Sequence, residues 1–539
     1  MNQTATNIRL LTILLVLFLS FLFLFNTGNR DLWAPDEPRY AQVSKEMRDS
    51  GNFILPQLNG EPYPHKPPLL FWMINLFSIP FGKITHLSGR LPSAFAGVGC
   101  CLILFNFARN VFQNTRIGLL AALILATSMK FLWMSHRVAF DVLLTFFVMA
   151  SLFSFYKGYT EDKNKVRSYT LFYLFMALGV LTKGPVGFLL PFLTVVAYLF
   201  LKRDIRVLKE TKPWIGGVLF AILVFSWVYL ASIYGGKEYT QQIMFKQNVG
   251  RFADSFAHKR PFYYFFIQFP LNYFPWSIFI PSTALFLFSR EGRKKFQEVS
   301  FPAVWFAVIF VFFSIVSGKR DIYVLPLYPA ASLIIAWFLN EFIGQFRDLR
   351  FRRTGYIPCY FASGLSMFLG LLLPVGVYKF LPEHVRLTIP FVILLFAGGI
   401  IMLRCTKRSR ILPFLFTLIM LVFLTFTIST LRVIPLLNQH KSAKEICDTA
   451  NAVMKPNEPL AMYGFLRDTY LFYTDRNHIE VIHEPEDLKK YLISEEQVFL
   501  FIQDKDFVKI TESLEIPVFV LAKDSVGHRK MFFVSNRDM

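Results

Sequence analysis

Charged residues are scarce in this chain. Asp, Glu, Lys and Arg make up 17% of its 539 residues, whereas hydrophobic residues make up 54% and Phe alone contributes 63 residues. A soluble protein of this length carries more charge. Long apolar runs recur along most of the sequence, so the composition excludes a large soluble globular protein. It predicts a polytopic α-helical membrane protein.

Acidic residues are fewer than basic ones, 36 against 57, which gives a formal net charge of +21. In a soluble protein this excess would suggest nucleic-acid binding. Here the basic residues lie mostly in short loops between apolar runs, where Lys and Arg hold a loop on the cytoplasmic side of an anionic leaflet. We therefore expect membrane lipid as a partner and no nucleic acid.

Cysteine is also rare. The chain has five, with no metal-ligand spacing and no disulfide framework, so we expect them to serve packing. The apolar run at 9–25 lacks a small-residue cleavage site after it. That absence favours an uncleaved first helix over a signal peptide.

About thirteen transmembrane helices are predicted when each span must contain roughly 17–25 apolar residues. The predicted spans are 9–27, 91–109, 117–134, 139–156, 169–182, 185–201, 213–234, 269–289, 300–317, 322–342, 356–378, 386–404 and 410–431. With the N-terminus inside, the cytoplasmic loops are those rich in Lys and Arg, such as KRDIRVLKETK at 202–212. This parity requires the short segment 68–82 to be interfacial or re-entrant.

Two domains are expected from a change of composition near residue 438. Residues 1–437 form the membrane domain, with a first outer loop at about 28–67 and amphipathic juxtamembrane helices. Residues 438–539 read as a soluble α/β domain, because helical patterns alternate there with short apolar strands. Thirteen spans place this domain outside the cytoplasm. It has no Gly-rich phosphate loop, so no chemistry is assigned to it.

The first outer loop carries adjacent carboxylates, Asp36 and Glu37, followed by Arg39 and Tyr40. The helix-like stretch YAQVSKEMRDSG after them is amphipathic and is expected to lie along the membrane surface. A solvated charged loop is the alternative, which the flanking aromatic and basic residues disfavour.

Further ionisable groups fall at the same predicted face. An ionisable residue at the edge of a span suggests a function. For Asp141 the alternative is an ion pair with Arg137, and for Lys183 it is a helix-breaking turn. These groups, with the cations and tyrosine of a later loop, are His136, Arg137, Asp141, Lys183, Lys319, Arg320, Asp321 and Tyr323.

Cations and a carboxylate at one membrane face suit sugar transfer from a lipid phosphate. Arg and Lys stabilise the departing phosphate, and Tyr can donate a hydrogen bond to it. A carboxylate can deprotonate an acceptor or stabilise oxocarbenium character. No nucleotide site is needed, because the donor is already a lipid.

Several stretches together resemble the GT-C class of polyprenyl-phosphate-sugar glycosyltransferases. They are LWAPDEPRYAQVSKEMRDSGNFILPQLNGEPYPHKPPLLFW, DVLLTFF, LGVLTKGPVGFLLP, AHKRPFYYFF with FPWSIFIP, and SGKRDIYVLPLYPA, and they run from about residue 30 to 335. The chain is most similar to bacterial members related to the lipid A aminoarabinose transferase and, more distantly, to protein O-mannosyltransferases. The resemblance implies a GT-C fold with thirteen spans and an outer α/β tail.

The same resemblance implies roles for individual residues. Asp36 would be the catalytic carboxylate, with Glu37 beside it, and Asp141 the second acidic residue of the pocket. Donor-phosphate contacts would come from Lys66 and Tyr323, with additional contacts from Arg39, Lys319 and Arg320. No cofactor is required.

A metal is a weaker expectation of the resemblance. The aminoarabinose transferases typically have Glu-Lys-Pro where this chain has His65-Lys66-Pro67. In that subfamily, the Glu and a His matching His258 can hold a metal. Here His65 and His258 would be the pair for a divalent ion such as Zn²⁺.

The sequence therefore predicts a monomeric, inverting glycosyltransferase of the bacterial inner membrane, with its active site and C-terminal domain in the periplasm. It would move a sugar from undecaprenyl phosphate to lipid A, another envelope glycan or a protein. A lipid or solute transporter is an alternative, but no repeated halves are present. A scaffolding protein would not need converging charges, and the Trp-Trp-Asp motif of an oligosaccharyltransferase is absent.

Overall fold

A computed structural model describes residues 2–161, 163–243, 259–344, 349–508, 517–527 and 529–538. The chain divides into two compact units. The first unit comprises Met1–Phe25, Pro64–Leu70 and Arg90–Arg432. The second unit comprises Asn26–Tyr63, Phe71–Gly89 and Val433–Met539. The first outer loop thus shares a compact unit with the C-terminal residues, whereas the sequence analysis grouped it with the membrane domain.

The first unit is helical. Its α-helices are Asn2–Leu24, His86–Phe112 (which begins in the second unit), Thr115–Ala126, Met129–Ser135, Phe140–Thr160, Lys165–Lys183, Val186–Lys202, Val207–Glu210, Pro213–Phe220, Ser226–Gln241, Tyr264–Asn272, Ile280–Leu287, Arg290–Ile315, Tyr328–Ile343, Leu349–Phe380, Ile389–Lys407 and Ile411–Ile428. Short 3₁₀ or π segments join several of them, at Ala221–Phe225, Trp276–Phe279, Asp321–Leu327, Pro382–Thr388 and Ser429–Val433.

Eight helices among the described residues are long and apolar enough to cross a membrane, or up to nine if the bent pair Thr115–Ala126 and Met129–Ser135 forms one span. Each of the predicted spans overlaps a helix. Several of these helices are shorter than a full crossing, among them Val186–Lys202 and Trp276–Leu287. The predicted polytopic helical class is confirmed, while the count of thirteen crossings stays a prediction. Segment 68–82 contains only the helix Leu69–Ser78 and a 3₁₀ turn, which are short for a span.

Two buried tryptophans of the first unit donate hydrogen bonds from their indole N–H groups to protein oxygens. The Trp276 Nε1–H donates to Thr127 Oγ1 at 2.9 Å, and the Trp305 Nε1–H donates to the Pro326 carbonyl at 3.0 Å. Both side chains are almost completely buried. In an apolar environment an unpaired N–H is costly, so these bonds fix how neighbouring helices pack.

The second unit contains a mixed sheet. Five strands, β3 (Leu460–Tyr463), β4 (Glu480–Ile482), β5 (Phe499–Gln503), β6 (Phe519–Val526) and β7 (Arg529–Ser535), lie in the order β4-β3-β5-β7-β6. Strand β3 runs parallel to β4 and β5, while β7 is antiparallel to β5 and β6. The predicted α/β domain is therefore present. Its helices include Ile434–Lys441, Lys444–Val453, Asp468–Tyr473 and Pro485–Leu492. The helical pattern FVKITESLE at 507–515 lies mostly outside the described residues.

The same unit includes the helix Asp36–Ser50, a small hairpin of β1 (Gln57–Leu58) with β2 (Glu61–Pro62), and most of the helix Leu69–Ser78. Nine of the fifteen residues of Asp36–Ser50 are buried, on more than one side. Its apolar positions Val43 and Met47 are fully covered. Much of this helix is therefore covered by protein, and its expected position along the membrane surface stays a prediction.

Candidate active site

Asp141 and Lys183 form a buried ion pair in the first unit. Asp141 lies in the first turn of the helix Phe140–Thr160, and Lys183 ends the helix Lys165–Lys183. The Lys183 ammonium donates to Asp141 Oδ1, and the two side chains are only 12% and 8% exposed. Lys183 is therefore an ion-pair partner of Asp141, and the Arg137 guanidinium lies 5.9 Å from the centroid of the Trp133 ring.

The motif LTKGPVG gives Lys183 its position. Gly184 adopts a φ of 79°, which ends the helix, and Pro185 begins the next one. The two helices then cross so closely that a Cβ on Gly187 would lie 2.0 Å from the Gly179 carbonyl carbon. Small residues permit such contact between membrane helices. The turn is therefore a structural device that also fixes a buried cation.

Tyr323 and Lys66 extend this cluster. The Lys183 ammonium lies 4.7 Å from the centroid of the Tyr323 ring, and the Lys66 ammonium lies 5.6 Å from the centroid of Phe140. The 3₁₀ helix Asp321–Leu327 carries Tyr323. Three sequence-predicted residues, Asp141, Lys66 and Tyr323, thus lie around Lys183 and Phe140, and such cation–aromatic contacts are favourable.

A second group of cations lies in the segment before the helix Tyr264–Asn272 and in the loop after the helix Arg290–Ile315. Lys319 is 3% exposed, and its ammonium donates to the carbonyls of Val316 at 2.5 Å and Arg260 at 3.1 Å. Desolvation lowers the pKa of Lys319. The backbone N–H of Arg260 donates to the Ser317 carbonyl at 3.2 Å, which ties the two loops together.

Arg320 belongs to the same region. Burial raises the pKa of Tyr264, Asp321 raises it further, and the charges of Arg260 and Arg320 lower it. Both guanidinium groups therefore lie within electrostatic range of the Tyr264 hydroxyl. Asp321 in turn accepts a 2.5 Å hydrogen bond from Lys130. In this region the three cations Arg260, Arg320 and Lys130 outnumber the single carboxylate of Asp321.

Two cavities open in the first unit. One, of about 420 Å³, has Arg260, Lys319 and Ser317 in its lining together with Phe262, Phe266 and Phe310. The other, of about 560 Å³, is lined mostly by apolar side chains of several helices, with Lys130 and Asn272 among the few polar groups. Both volumes suit small-molecule or lipid-chain ligands.

In the second unit, Asp36 begins the helix Asp36–Ser50, where the helix dipole favours a carboxylate. It is half-buried, and its Oδ1 accepts a 3.4 Å hydrogen bond from the Tyr40 hydroxyl. Glu37 is completely buried, with the Arg30 guanidinium across both carboxylate oxygens at 2.9 and 2.8 Å. This buried ion pair, with its charge-assisted hydrogen bond from Arg30 Nη2 to Glu37 Oε1, holds the Glu37 side chain in the fold.

Arg39 also has a partner in the second unit. Its Nε lies 2.7 Å from Asp468 Oδ2, at the start of the short helix Asp468–Tyr473. Arg39 is predicted from the sequence to contact the donor phosphate, and no chemistry is predicted for the C-terminal domain. The signal for this pairing lies in neither segment alone, because the two residues are 429 positions apart.

Glu46 is another residue that sequence reasoning missed. It is 3% exposed, and its carboxylate accepts hydrogen bonds from Gln42 Nε2 and from the backbone N–H groups of Asn59 and Gly60, at 2.9 to 3.1 Å. Burial raises its pKa, against the effect of these bonds. Glu46 thereby fixes the hairpin turn to the helix that begins at Asp36.

The two predicted metal ligands are His65 and His258, of which His258 lies outside the described residues. His65 is exposed. Within the described part of the chain, no group of three or more His, Cys, Asp or Glu residues is arranged to hold a metal ion. His136, by contrast, is buried, with its Nε2 2.8 Å from the Leu22 carbonyl, which is a packing role.

Known proteins with a similar sequence complete this picture. Residues 65–230 match the family model described as dolichyl-phosphate-mannose-protein mannosyltransferase. A protein of Aquifex aeolicus with no assigned function is 30% identical over 473 residues, which are 87% of each chain. The undecaprenyl phosphate-alpha-4-amino-4-deoxy-L-arabinose arabinosyl transferase of Pectobacterium carotovorum is 29% identical over 67% of this chain and 66% of its own length.

The fold agrees with these sequence matches. The crystal structure of ArnT from Cupriavidus metallidurans bound to undecaprenyl phosphate superimposes with a TM-score of 0.82 over 98% of each chain, at 20% identity. The chain belongs to the GT-C glycosyltransferases and is related to the aminoarabinose transferase family. The predicted GT-C fold and the predicted class of enzyme are therefore confirmed. This GT-C enzyme is a multi-pass membrane protein. Its relationship to glycosyltransferases disfavours the alternative prediction of a lipid or solute transporter.

Proposed function

We propose that this GT-C enzyme transfers a sugar, with inversion, from undecaprenyl phosphate to an acceptor of the bacterial envelope at the periplasmic face of the inner membrane. Related proteins named as undecaprenyl phosphate-linked aminoarabinose transferases support this donor class. The fold shared with a protein solved with undecaprenyl phosphate is consistent with it.

One observation carries the proposal. The cavity of about 420 Å³ combines the cations Arg260 and Lys319 with the rings of Phe262, Phe266 and Phe310. A donor with a phosphate on a long apolar chain needs this combination, because Arg and Lys bind phosphate while phenylalanine accommodates hydrocarbon. A water-soluble nucleotide sugar would gain nothing from the apolar rings.

The remaining predicted residues have roles around this donor. Lys66, Tyr323 and Arg320 contribute to phosphate binding, with Lys183 held nearby by Asp141. Positive charge placed in advance near the departing phosphate stabilises the charge that develops on it. Because these cations can stabilise the charge on the phosphate, the proposed reaction includes no step on a metal. His65 and His258 remain the candidate ligands for a Zn²⁺ ion. Removing divalent ions with EDTA tests that part of the proposal.

Asp36 is the proposed catalytic carboxylate. The acceptor hydroxyl oxygen attacks the anomeric carbon while the bond from that carbon to the phosphate oxygen breaks. The hydroxyl proton passes to Asp36, and undecaprenyl phosphate departs with its negative charge. One displacement inverts the configuration of the sugar carbon.

The acceptor is lipid A in the leading form of the proposal, with another envelope glycan or a protein as alternatives. The apolar cavity of about 560 Å³ supports a lipid-bearing acceptor, since helices that line it are apolar enough to span a membrane. The match to a protein mannosyltransferase family over residues 65–230 supports the protein alternative.

The test uses purified full-length enzyme in lipid vesicles with a panel of labelled undecaprenyl-phosphate sugars. Release of undecaprenyl phosphate reports on the donor, and label in the lipid, glycan or protein fraction identifies the acceptor. Asp36→Asn is expected to abolish release and to leave the unfolding temperature unchanged. Asp49→Asn is the matched control, because Asp49 is a 40% exposed carboxylate on the same helix. It should turn over like the wild type.

If the wild-type enzyme released undecaprenyl phosphate from none of the donors in the panel, the donor assignment would be overturned. Turnover of Asp36→Asn equal to that of Asp49→Asn would remove Asp36 from the catalytic role while leaving the donor assignment intact.

A further inference from the structure

The C-terminal residues contact the helix that carries Asp36 along one whole face. Hydrogen bonds or ion pairs to the segment 468–477 come from helix positions 39, 42, 45 and 49. These positions are three or four residues apart, which is the spacing of one helix face. The helix is thus bonded to the C-terminal segment from its first turn to its last.

The chain that leads into this helix is also held. The Leu32 N–H donates to the Tyr473 hydroxyl at 2.7 Å, and the Trp33 Nε1–H donates to Asn438 Oδ1 at 2.9 Å. The ammonium of Lys441 lies 4.8 Å from the Trp33 ring. Asp36 therefore lies between two stretches that the C-terminal part of the second unit fixes.

Asp468 makes the contact nearest to Asp36. Its carboxylate meets the Arg39 Nε at 2.7 Å, and Arg39 is one helical turn from Asp36. Asp468 is 8% exposed, so the pair with Arg39 is partly shielded from water. In such a site an ion pair has a defined geometry, and removing one partner leaves the other charge uncompensated.

The charges of this group interact with Asp36 itself. Burial raises the pKa of Asp468, the charge of Arg39 and its hydrogen bond lower it, and Asp36 raises it. The charge of Arg467 also lowers the pKa of Asp468. The two carboxylates are thus within electrostatic range of one another. Arg39 also interacts with Tyr63 and Tyr40, on two further elements around the same point.

From these contacts we infer that Asp468 is a positioning residue of this enzyme: the C-terminal domain uses it to hold Arg39, and thereby the first turn of the Asp36 helix, in its working orientation. The inference rests on the proposed function in taking Asp36 as the catalytic carboxylate. It gives the C-terminal domain a part in the active site that its sequence does not suggest.

The experiment compares Asp468→Asn with Asp475→Asn in the full-length enzyme in lipid vesicles. Asp475 is the matched control, because it forms the same kind of ion pair with the helix, to Lys45 at 3.2 Å, but farther from Asp36 and at an exposed site. Asp468→Asn is expected to lower kcat by about 10- to 100-fold, as misplacement by about 1 Å can. KM for the lipid donor should stay within about twofold. Asp475→Asn should behave as the wild type.

A charge-conserving variant separates positioning from folding. Asp468→Glu keeps the ion pair with one added methylene and should recover a large part of kcat. A residue that served only to keep the protein folded would lower the yield of folded enzyme and leave kcat per folded molecule unchanged. Equal kcat for Asp468→Asn and Asp475→Asn would overturn the inference.

Hydrogen–deuterium exchange provides a readout that does not depend on turnover. Asp468→Asn should speed exchange at the amides of residues 39–42, whereas Asp475→Asn should leave those amides unchanged. Unaltered exchange in Asp468→Asn would refute the positioning role. If the wild type released no undecaprenyl phosphate, the proposed function would fail, and the exchange result alone would decide whether Asp468 holds this turn.

Discussion

The Lys183 ammonium donates a hydrogen bond to the Asp141 carboxylate, although the two residues lie on different helices and 42 positions apart. The ion pair is buried in the helical first unit, and the aromatic ring of Tyr323 lies over its cation. This arrangement is a fixed, desolvated charge centre. It connects the end of the helix Lys165–Lys183, the start of the helix Phe140–Thr160 and the 3₁₀ helix Asp321–Leu327. Loss of the ion pair should therefore lower the stability of the protein.

Breaking this pair from one side should destabilise the protein. Asp141→Asn or Lys183→Met alone leaves an uncompensated buried charge or an unpaired polar group, which costs about 3–5 kcal/mol. Thermal unfolding in detergent measures the loss for each variant. The double variant should be more stable than the sum of the two single losses predicts. Strict additivity would show that the two side chains do not interact.

A second buried pair offers the same kind of test in the other unit. Arg30→Met should leave Glu37 as an uncompensated carboxylate and lower the free energy of unfolding by about 3–5 kcal/mol. Adding Glu37→Gln should restore much of that loss, because both charges are then gone. Chemical denaturation followed by tryptophan fluorescence gives the values. Unchanged stability of Arg30→Met would contradict the structural role given to this pair.

The protonation of Glu46 should make stability depend on pH. Its pKa is raised in the folded protein by burial, so the folded state binds this proton more tightly than the unfolded state does. Stability should therefore fall as pH rises from the unfolded value of about 4.3 through the raised folded value. Glu46→Gln should flatten that slope when unfolding temperature is followed against pH. Glu61→Gln, at an exposed site of the same hairpin, should keep the wild-type slope.

The helix crossing at LTKGPVG predicts a steric effect. Gly187→Ala would place a methyl group 2.0 Å from the Gly179 backbone, so the helices Lys165–Lys183 and Val186–Lys202 must separate. We expect a loss of about 1–3 kcal/mol, as overpacking usually costs, and reduced turnover because Lys183 moves. Gly217→Ala is the control, because a Cβ there meets nothing within 4 Å. Equal stability of the two variants would argue against close helix contact.

Much of the fold follows from the sequence. Apolar runs long enough to cross a bilayer mark the helices, because every backbone polar group must be satisfied within a span, and only a helix does this locally. Alternation of short apolar strands and amphipathic helices after residue 438 likewise indicated a small α/β domain, with the sheet either mixed or parallel. The types of residue at the candidate site were also evident, since carboxylates and cations in apolar surroundings are costly and so stand out.

The tertiary structure alone decided which of these residues are partners. Asp141 pairs with Lys183, Arg39 with Asp468, and Glu37 with Arg30. It also bonded one face of the Asp36 helix to the segment 468–477. Local periodicity shows that a helix has a face to cover and that a charge needs a counter-charge. Which distant segment supplies either one depends on how the chain packs, and no local pattern encodes that.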